Sequence, residues 1–199
     1  MPPAGVSSVP RALPYPDPPL SDGRIALRSW CDADAPRLVA AFRDPEIPRW
    51  TFIPAPYSER DAREFIARQR RDRDGGVALA FAIVPAHDEA TVLGGTGLEP
   101  VDRVIGRGEI GYWVAREHRG RGIATAAVRL LAGWALSGLG LRRLEILAFR
   151  GNAASERVAQ NAGFVRERLL PEHRLHPHSG EVRDMVLYAL ERDSGPRVT

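Results

Sequence analysis

The residues that most directly suggest chemistry are Arg119, Gly120, Arg121 and Gly122, which lie between an apolar segment and a helical pattern. A strand, a glycine-rich turn and a helix start leave several backbone N–H groups unpaired, with the positive end of the helix dipole behind them. Such a geometry binds phosphate or pyrophosphate. Glycine allows close approach of the backbone, and arginine donors match phosphate oxygens. An ordinary surface turn fits the same residues, so this segment alone leaves both interpretations open.

Two common phosphate motifs are excluded. A P-loop requires G-K-[ST], and this chain contains no lysine. A dinucleotide fingerprint requires a third glycine or alanine three residues after the second glycine, where this chain has Thr125. The acidic residue that follows, Glu145, lies near the start of the next predicted strand rather than at its end. The turn therefore belongs to neither nucleotide-binding class.

A second segment downstream strengthens the anion-binding interpretation. Residues 119–124 read R-G-R-G-I-A, and residues 152–164 read N-A-A-S-E-R-V-A-Q-N-A-G-F. The first resembles the acetyl-CoA signature of the GNAT N-acetyltransferase superfamily, and the second resembles that family's next motif. Together they are most similar to the branch that acetylates the N-terminal alanine or serine of ribosomal proteins. The resemblance covers residues from about 23 to 192.

The resemblance implies that acetyl-CoA is the cosubstrate. Its pantetheine would run beside the strand at residues 110–115, which in this family carries a bulge and separates from the fifth strand, so that open backbone groups pair with the pantetheine amides. A backbone N–H near Val114 would polarise the thioester carbonyl. The residues implied to contact the cofactor are Tyr112, Trp113, Val114, Arg119, Gly120, Arg121, Gly122, Ile123, Ala124, Thr125, Asn152 and Ser155.

The implied reaction is direct attack by a primary amine in a ternary complex, which gains chiefly from positioning. Glu109 is the candidate base, acting through a water, although a solvated strand-end carboxylate would look the same. Many relatives carry a tyrosine seven residues after the motif asparagine, and here that position is Ala159. Ser155 is then the nearest hydroxyl to protonate the thiolate, unless it only bonds to its helix backbone and water protonates the sulfur.

An irregular segment rich in proline and aromatic residues, 45–57, is a candidate wall for the acceptor amine. Trp50, Phe52 and Tyr57 would line the cleft together with Glu109, or else pack the segment onto the core. His173, His176 and His178 cluster in the last hairpin without an acidic partner at metal spacing, so the sequence predicts no metal.

Composition narrows the remaining classes. The net charge is +3 and all 28 basic residues are arginine, but no basic stripe alternates with aromatics, which argues against nucleic-acid binding. One cysteine, Cys31, excludes an internal disulfide and fits a reducing compartment. No apolar run has the length of a membrane span or signal peptide, so we expect a cytoplasmic protein without a membrane partner. A homodimer is suggested by the family resemblance alone.

The predicted fold class is α+β, a GNAT-type mixed, mostly antiparallel seven-stranded sheet flanked by about four helices and split between strands four and five. Strands are predicted at 24–30, 77–84, 91–99, 109–115, 143–149, 164–169 and 181–190, and helices at about 34–43, 58–74, 123–137 and 153–162. Residues 1–22 read as a proline-rich flexible arm, 23–192 as a single acetyltransferase domain and 193–199 as a tail.

Two functions follow from these residues. The first is transfer of an acetyl group from acetyl-CoA to a primary amine, a protein N-terminal amine being favoured over a small-molecule amine. The second keeps the cofactor site without the chemistry, as a CoA-binding sensor or interaction module. The absence of the usual tyrosine at position 159 is the reason to retain it.

Overall fold

The computed structural model describes residues 12–192, and within them five α-helices surround one eight-stranded sheet. The strands are β1 Leu20–Ser21, β2 Ile25–Ser29, β3 Leu79–Pro85, β4 Gly94–Asp102, β5 Arg107–Val114, β6 Arg143–Phe149, β7 Val165–Leu175 and β8 Val182–Glu191. The helices are α1 Ala35–Ala41, α2 Glu46–Trp50, α3 Glu59–Gly75, α4 Ile123–Ser137 and α5 Ala153–Asn161. Nowhere in residues 12–192 is there a helix with the length and apolar character that crossing a membrane requires.

The strands are ordered β1-β2-β3-β4-β5-β6-β8-β7, and every neighbouring pair is antiparallel except β5–β6. The parallel pair is short, because its register runs only from Arg107 opposite Arg143 to Glu109 opposite Glu145. Beyond Glu109 the two strands separate while β5 stays paired with β4 as far as Val114. The predicted fold class and the split in the sheet are therefore confirmed.

The closed end of the split is held by a cluster of charges. Glu145 is buried, and its carboxylate receives hydrogen bonds from Arg107 on β5 and from Arg143, its neighbour on β6. Arg143 also binds Glu167 on β7. Buried carboxylates require such partners, because an unpaired charge inside a protein is very costly. The charge cluster thus joins the two strands at the point from which they diverge.

Two apolar clusters pack on opposite faces of the sheet. One face is covered by α4 and α5, whose buried residues include Leu131 and Ala159. The other is covered by α1 and α3 around Leu38 and Ile66. A capping box starts α3, since Ser58 accepts the N–H of Asp61 and the Asp61 carboxylate accepts the N–H of Ser58. This cap is the one that the sequence pattern predicts.

Two details of the predicted organisation differ from the structure. Segment 45–57, predicted to be irregular, contains the short helix α2, and β1 adds an eighth strand. Residues 1–11 of the predicted arm, and the tail 193–199, lie outside the described residues. In the remainder of the arm, Leu13 is fully buried and its N–H donates to the carbonyl of Arg73.

The bulge also lies on a different strand from the predicted one. The register between β4 and β5 shifts between Leu98 and Val101, so that Glu99 and Pro100 stand opposite the single residue Glu109. The extra residue is therefore in β4, not in β5. A bulge bends and twists its strand locally, and here it does so beside the apex of the split.

Candidate functional site

The turn before α4 forms an open cradle of backbone amides. Gly120 and Gly122 have φ of 75° and 74°, and nothing lies within 4 Å of where a Cβ would stand on either residue. Because α4 begins at Ile123, the N–H groups of the first helical residues have no acceptor within the helix. No side chain therefore occupies the space beside the two glycines of the cradle (residues 119–125). Its unpaired N–H groups have the geometry that an anion requires.

Arg119 supports the turn from the side. Its Nε donates to the carbonyl oxygen of Val114 at 3.0 Å, and its Nη2 lies 2.6 Å from Oδ2 of Asp44, a largely buried carboxylate, in an ion contact without good hydrogen-bond alignment. Arg24 reaches the same turn by donating to the carbonyl of Arg121 at 3.1 Å. The arginine of the signature is therefore part of the cradle's wall, and Asp44 is a partner that the sequence pattern does not reveal.

Backbone groups of β5 face the split. The N–H of Ala115 donates to the carbonyl oxygen of Leu93. Backbone hydrogen bonds alternate in direction along a strand, so those of Ala115, of Trp113 and of every second residue before them point toward β4. The backbone groups of Tyr112 and Val114 consequently face the split. Side chains along β5 alternate between the two faces of the sheet. Trp113 stacks on Trp30 and packs against Phe42, on the face away from α4. Its indole does not reach the split.

The opposite wall of the split carries the first turn of α5. Asn152 caps this helix by accepting the N–H of Ser155 at 3.1 Å. The Tyr112 hydroxyl crosses the split to Ser155, 3.0 Å from its carbonyl oxygen and 2.8 Å from Oγ. Burial raises the pKa of Tyr112 to about 12, so the phenol keeps its proton at neutral pH. Ala159 is fully buried in the core and supplies no hydroxyl.

Glu109 lies at the apex of the split, where parallel pairing ends. Its carboxylate is held by the guanidinium of Arg174 on β7, with Oε2 3.0 Å from Nη2 and Oε1 3.3 Å from Nη1. Arg174 in turn covers the ring of Phe52 at 5.3 Å. Glu109 is therefore an oriented carboxylate and not a solvated strand end. The partner is 65 residues away in the sequence, so no local pattern indicates it.

A cavity of about 930 Å³ joins the split to the predicted acceptor wall. This volume lies in the range of small-molecule sites. Its lining includes Glu109, Tyr112 and Ser155 from the split. Trp50, Phe52 and Tyr57, the residues predicted to wall an acceptor cleft, also line it, and Tyr57 packs edge-on against Phe42 in the core as well. Tyr57 therefore fits both interpretations of the aromatic segment, whereas Phe52 is 41% exposed.

The histidine-containing end of the last hairpin closes the acceptor wall. Nε2 of the buried His176 lies 3.1 Å from the carbonyl oxygen of Pro48, and its Nδ1 accepts the N–H of Ser179. Nε2 must therefore carry the proton. His178 binds the carbonyl of Ile53 at 2.6 Å. These histidines dock the hairpin on α2 and on the segment that follows it. Residues 12–192 contain no group of side chains arranged to hold a metal.

Comparison with known proteins places these features in a family. Residues 24–165 match the family model described as an acetyltransferase (GNAT) domain. The chain is 29% identical over 168 residues to the uncharacterized N-acetyltransferase p20 of Bacillus licheniformis, covering 84% of this chain and 92% of p20. It is 32% identical over 116 residues to the ribosomal-protein-serine acetyltransferase of Escherichia coli K12, covering 58% and 63%.

A solved structure supports the same fold. Mycobacterium smegmatis RimJ in complex with CoA-disulfide superposes with a TM-score of 0.76 at 24% identity, covering 87% of this chain and 84% of RimJ. The likeness at this identity concerns the fold, and the family model covers most of the chain independently. An open amide cradle, a split sheet and the matched family model together lead to one conclusion: this chain is an N-acetyltransferase of the GNAT family.

Proposed function

We propose that this protein transfers an acetyl group from acetyl-CoA to a primary amine, and that a protein N-terminal amine is favoured over a small-molecule amine. The observation that carries the proposal is the continuous cavity that runs from the split in the sheet to the aromatic wall. It gives a thioester and an amine a common meeting point at the apex of the split. Positioning two reactants in this way supplies much of the rate enhancement of such reactions.

The cofactor would occupy the cradle and the split. Its diphosphate meets the amides of residues 120–125 and the guanidinium of Arg121 at the rim, while Arg119, paired with Asp44, holds the turn in place. Its pantetheine amides pair with the backbone groups of Tyr112 that face the split, and Asn152 and Ser155 face them from the first turn of α5. The N–H of Val114 polarises the thioester carbonyl. Trp113 supports this wall from behind, because its ladder bonds point toward β4 and its indole lies on the other face of the sheet.

The residues of the split can complete the reaction. The amine nitrogen bonds to the carbonyl carbon, and the C–S bond breaks with its electron pair remaining on sulfur. Glu109, oriented by Arg174, takes the amine proton through a water, and the hydroxyl of Ser155 meets the thiolate. A carboxylate fixed on one side and open to the cavity on the other suits this role. No metal is needed in this scheme.

The charges of the cavity favour a peptide end over a polyamine. The charged side chains of its lining are four carboxylates, from Asp61, Glu64, Glu99 and Glu109, and three guanidiniums, from Arg68, Arg71 and Arg174. A polycation would need a clear excess of carboxylates, since attraction scales with the summed charge. Trp50 and Phe52 offer apolar contact to the side chains that follow a terminal amine. The sequence relative that acetylates a ribosomal-protein serine agrees with this choice.

Two measurements test the proposal. Isothermal titration should detect stoichiometric binding of acetyl-CoA and CoA, and absence of binding would end the proposal. Mass spectrometry of a panel of acceptors should then find faster acetylation of peptides with N-terminal serine or alanine than of spermidine, spermine or aminoglycosides. Faster turnover of a polyamine would overturn the acceptor assignment, while binding without turnover of any amine would indicate a CoA-binding module instead.

A further inference from the structure

Tyr112 extends from β5 across the split, and the reaction described above gives its phenol no task. Its hydroxyl contacts both oxygens of Ser155, the carbonyl at 3.0 Å and Oγ at 2.8 Å. The serine itself is fixed, because Asn152 accepts its backbone N–H. A side chain on one wall of the split thus controls the hydroxyl of a residue on the other wall, 43 positions along the chain.

The two contacts allow two arrangements of protons. A phenol has a single proton to donate. If Tyr112 donates it to the carbonyl of Ser155, then the serine hydroxyl must donate to the phenol oxygen. If the phenol proton instead rotates toward Oγ, the serine hydroxyl no longer donates to the phenol, and its proton can point into the cavity that both residues line. Rotation of the O–H bonds of Tyr112 and Ser155 is the only movement that this exchange requires.

We propose that Tyr112 is a positioning residue of acetyl transfer, which releases the Ser155 hydroxyl and directs it at the departing CoA sulfur. The inference rests on the proposed function. When the C–S bond breaks, the electron pair stays on sulfur and Ser155 donates a hydrogen bond to it, while Tyr112 donates one to Ser155. No proton leaves the phenol; the amine proton goes to Glu109, and the thiolate later takes a proton from solvent.

Burial supports this arrangement. The desolvated environment that raises the pKa of Tyr112 to about 12 keeps the phenol a donor throughout the working pH range. Low polarity also strengthens a chain of hydrogen bonds that ends on a charge. Hydrogen bonds to a charged group are worth more than neutral ones, so the chain stabilises the products of C–S cleavage more than the bound thioester.

The chain offers a matched control in Tyr188. Its hydroxyl also binds α5, donating to the Glu156 carboxylate at 2.7 Å, and it is one position along the helix from the proposed contact. Tyr188 lies fully buried on β8. Replacing either tyrosine by phenylalanine removes one phenol hydroxyl that contacts α5 and keeps the ring. Only the change at Tyr112 should affect the thiolate.

The kinetic test is a cycle of Tyr112→Phe, Ser155→Ala and the double variant, with Tyr188→Phe beside it. We expect kcat to fall about tenfold in Tyr112→Phe with KM for acetyl-CoA within twofold. The double variant should be no slower than Ser155→Ala, because the phenol acts through the serine. Ser155→Thr, which keeps a hydroxyl, should retain most of the activity. Equal losses in Tyr112→Phe and Tyr188→Phe, or additive losses in the double variant, would overturn the proposal.

A second readout does not depend on the acceptor. Thiolate absorbance of bound CoA is followed as a function of pH, with desulfo-CoA as the reference. Removing the Tyr112 hydroxyl should lower the ratio of thiolate to thiol in bound CoA several-fold at a given pH. Tyr188→Phe should leave this ratio unchanged. An unchanged titration in Tyr112→Phe would defeat this inference but not the acetyltransferase. Failure of the unaltered protein to bind CoA would defeat both.

Discussion

The two halves of the candidate site are built in different ways. The cofactor half is held largely by short-range contacts: Arg119 bonds to Val114 five positions earlier, and Asn152 caps a helix through a residue three positions later. The acceptor half joins distant segments, because His176 binds Pro48 across 128 positions and Arg183 binds the carbonyl of Arg49 across 134. Glu109 lies where the halves meet. The cofactor site thus depends mainly on β5, the turn before α4 and the start of α5, whereas the acceptor site depends on how the hairpin docks.

The sharpest way to separate the halves is at Glu109. In Glu109→Gln we expect kcat to fall about 100- to 1000-fold, because the amine has no base, with unchanged binding of acetyl-CoA. Steady-state kinetics across pH and isothermal titration measure the two effects. Glu117→Gln is the matched control, since its carboxylate is 70% exposed and makes only a 3.9 Å contact to His118. Activity of Glu109→Gln within twofold of the unaltered protein would remove Glu109 from the mechanism.

The docking of the hairpin is tested at His176. Replacement by alanine removes its buried hydrogen bonds to Pro48 and Ser179, and should lower the free energy of unfolding by about 1–3 kcal/mol. KM for the amine should rise several-fold while the affinity for acetyl-CoA stays within twofold. Thermal unfolding and acceptor titrations check this, with the exposed His173→Ala as the control. A comparable loss of acetyl-CoA affinity would mean that the halves are not independent.

The cradle is tested at Gly122. Valine there must adopt a φ near 74°, which costs about 1–2 kcal/mol, and its side chain would project into the space for the diphosphate. We expect the Kd for acetyl-CoA to rise about tenfold, measured by titration. Gly140→Val has the same strain, with φ of 70° and open space around a Cβ, and should leave the Kd unchanged. Equal effects of the two variants on Kd would argue against an anion site at the cradle.

The smallest expected effect concerns the helix behind the cradle. Gly133 is exposed within α4, and nothing lies within 4 Å of a Cβ added to it. Gly133→Ala should therefore raise the free energy of unfolding by about 0.5–1 kcal/mol, because alanine loses less backbone freedom on folding. Chemical denaturation measures the change, and acetyl-CoA affinity should not move. A loss of stability would show that α4 is constrained by its packing at this position.

The sequence was most informative where periodicity and short motifs act together. The bounds of α4 and of β6 agree with their predicted ranges, and the capping box at Ser58 starts α3 as expected. Predictions failed where an element depends on contacts with distant residues or where its sequence pattern is weak. The strand β1 has only two residues, and α2 contains Pro48, which breaks helical patterns. The segment around Leu13 shows no hydrophobic periodicity, because a single buried side chain, that of Leu13, anchors it.

The amino-acid sequence by itself determined the family, the fold class and the amide cradle, because a strand, a glycine turn and a capped helix are specified by neighbouring residues. Tertiary structure alone decided the rest of the site: the Glu109–Arg174 pair, the Asp44 contact to Arg119 and the phenol of Tyr112 on Ser155. The physical reason is that these contacts depend on where separate strands and helices pack. Side chains that meet across a sheet or a split have no characteristic separation in the sequence, so no sequence pattern indicates that they are partners.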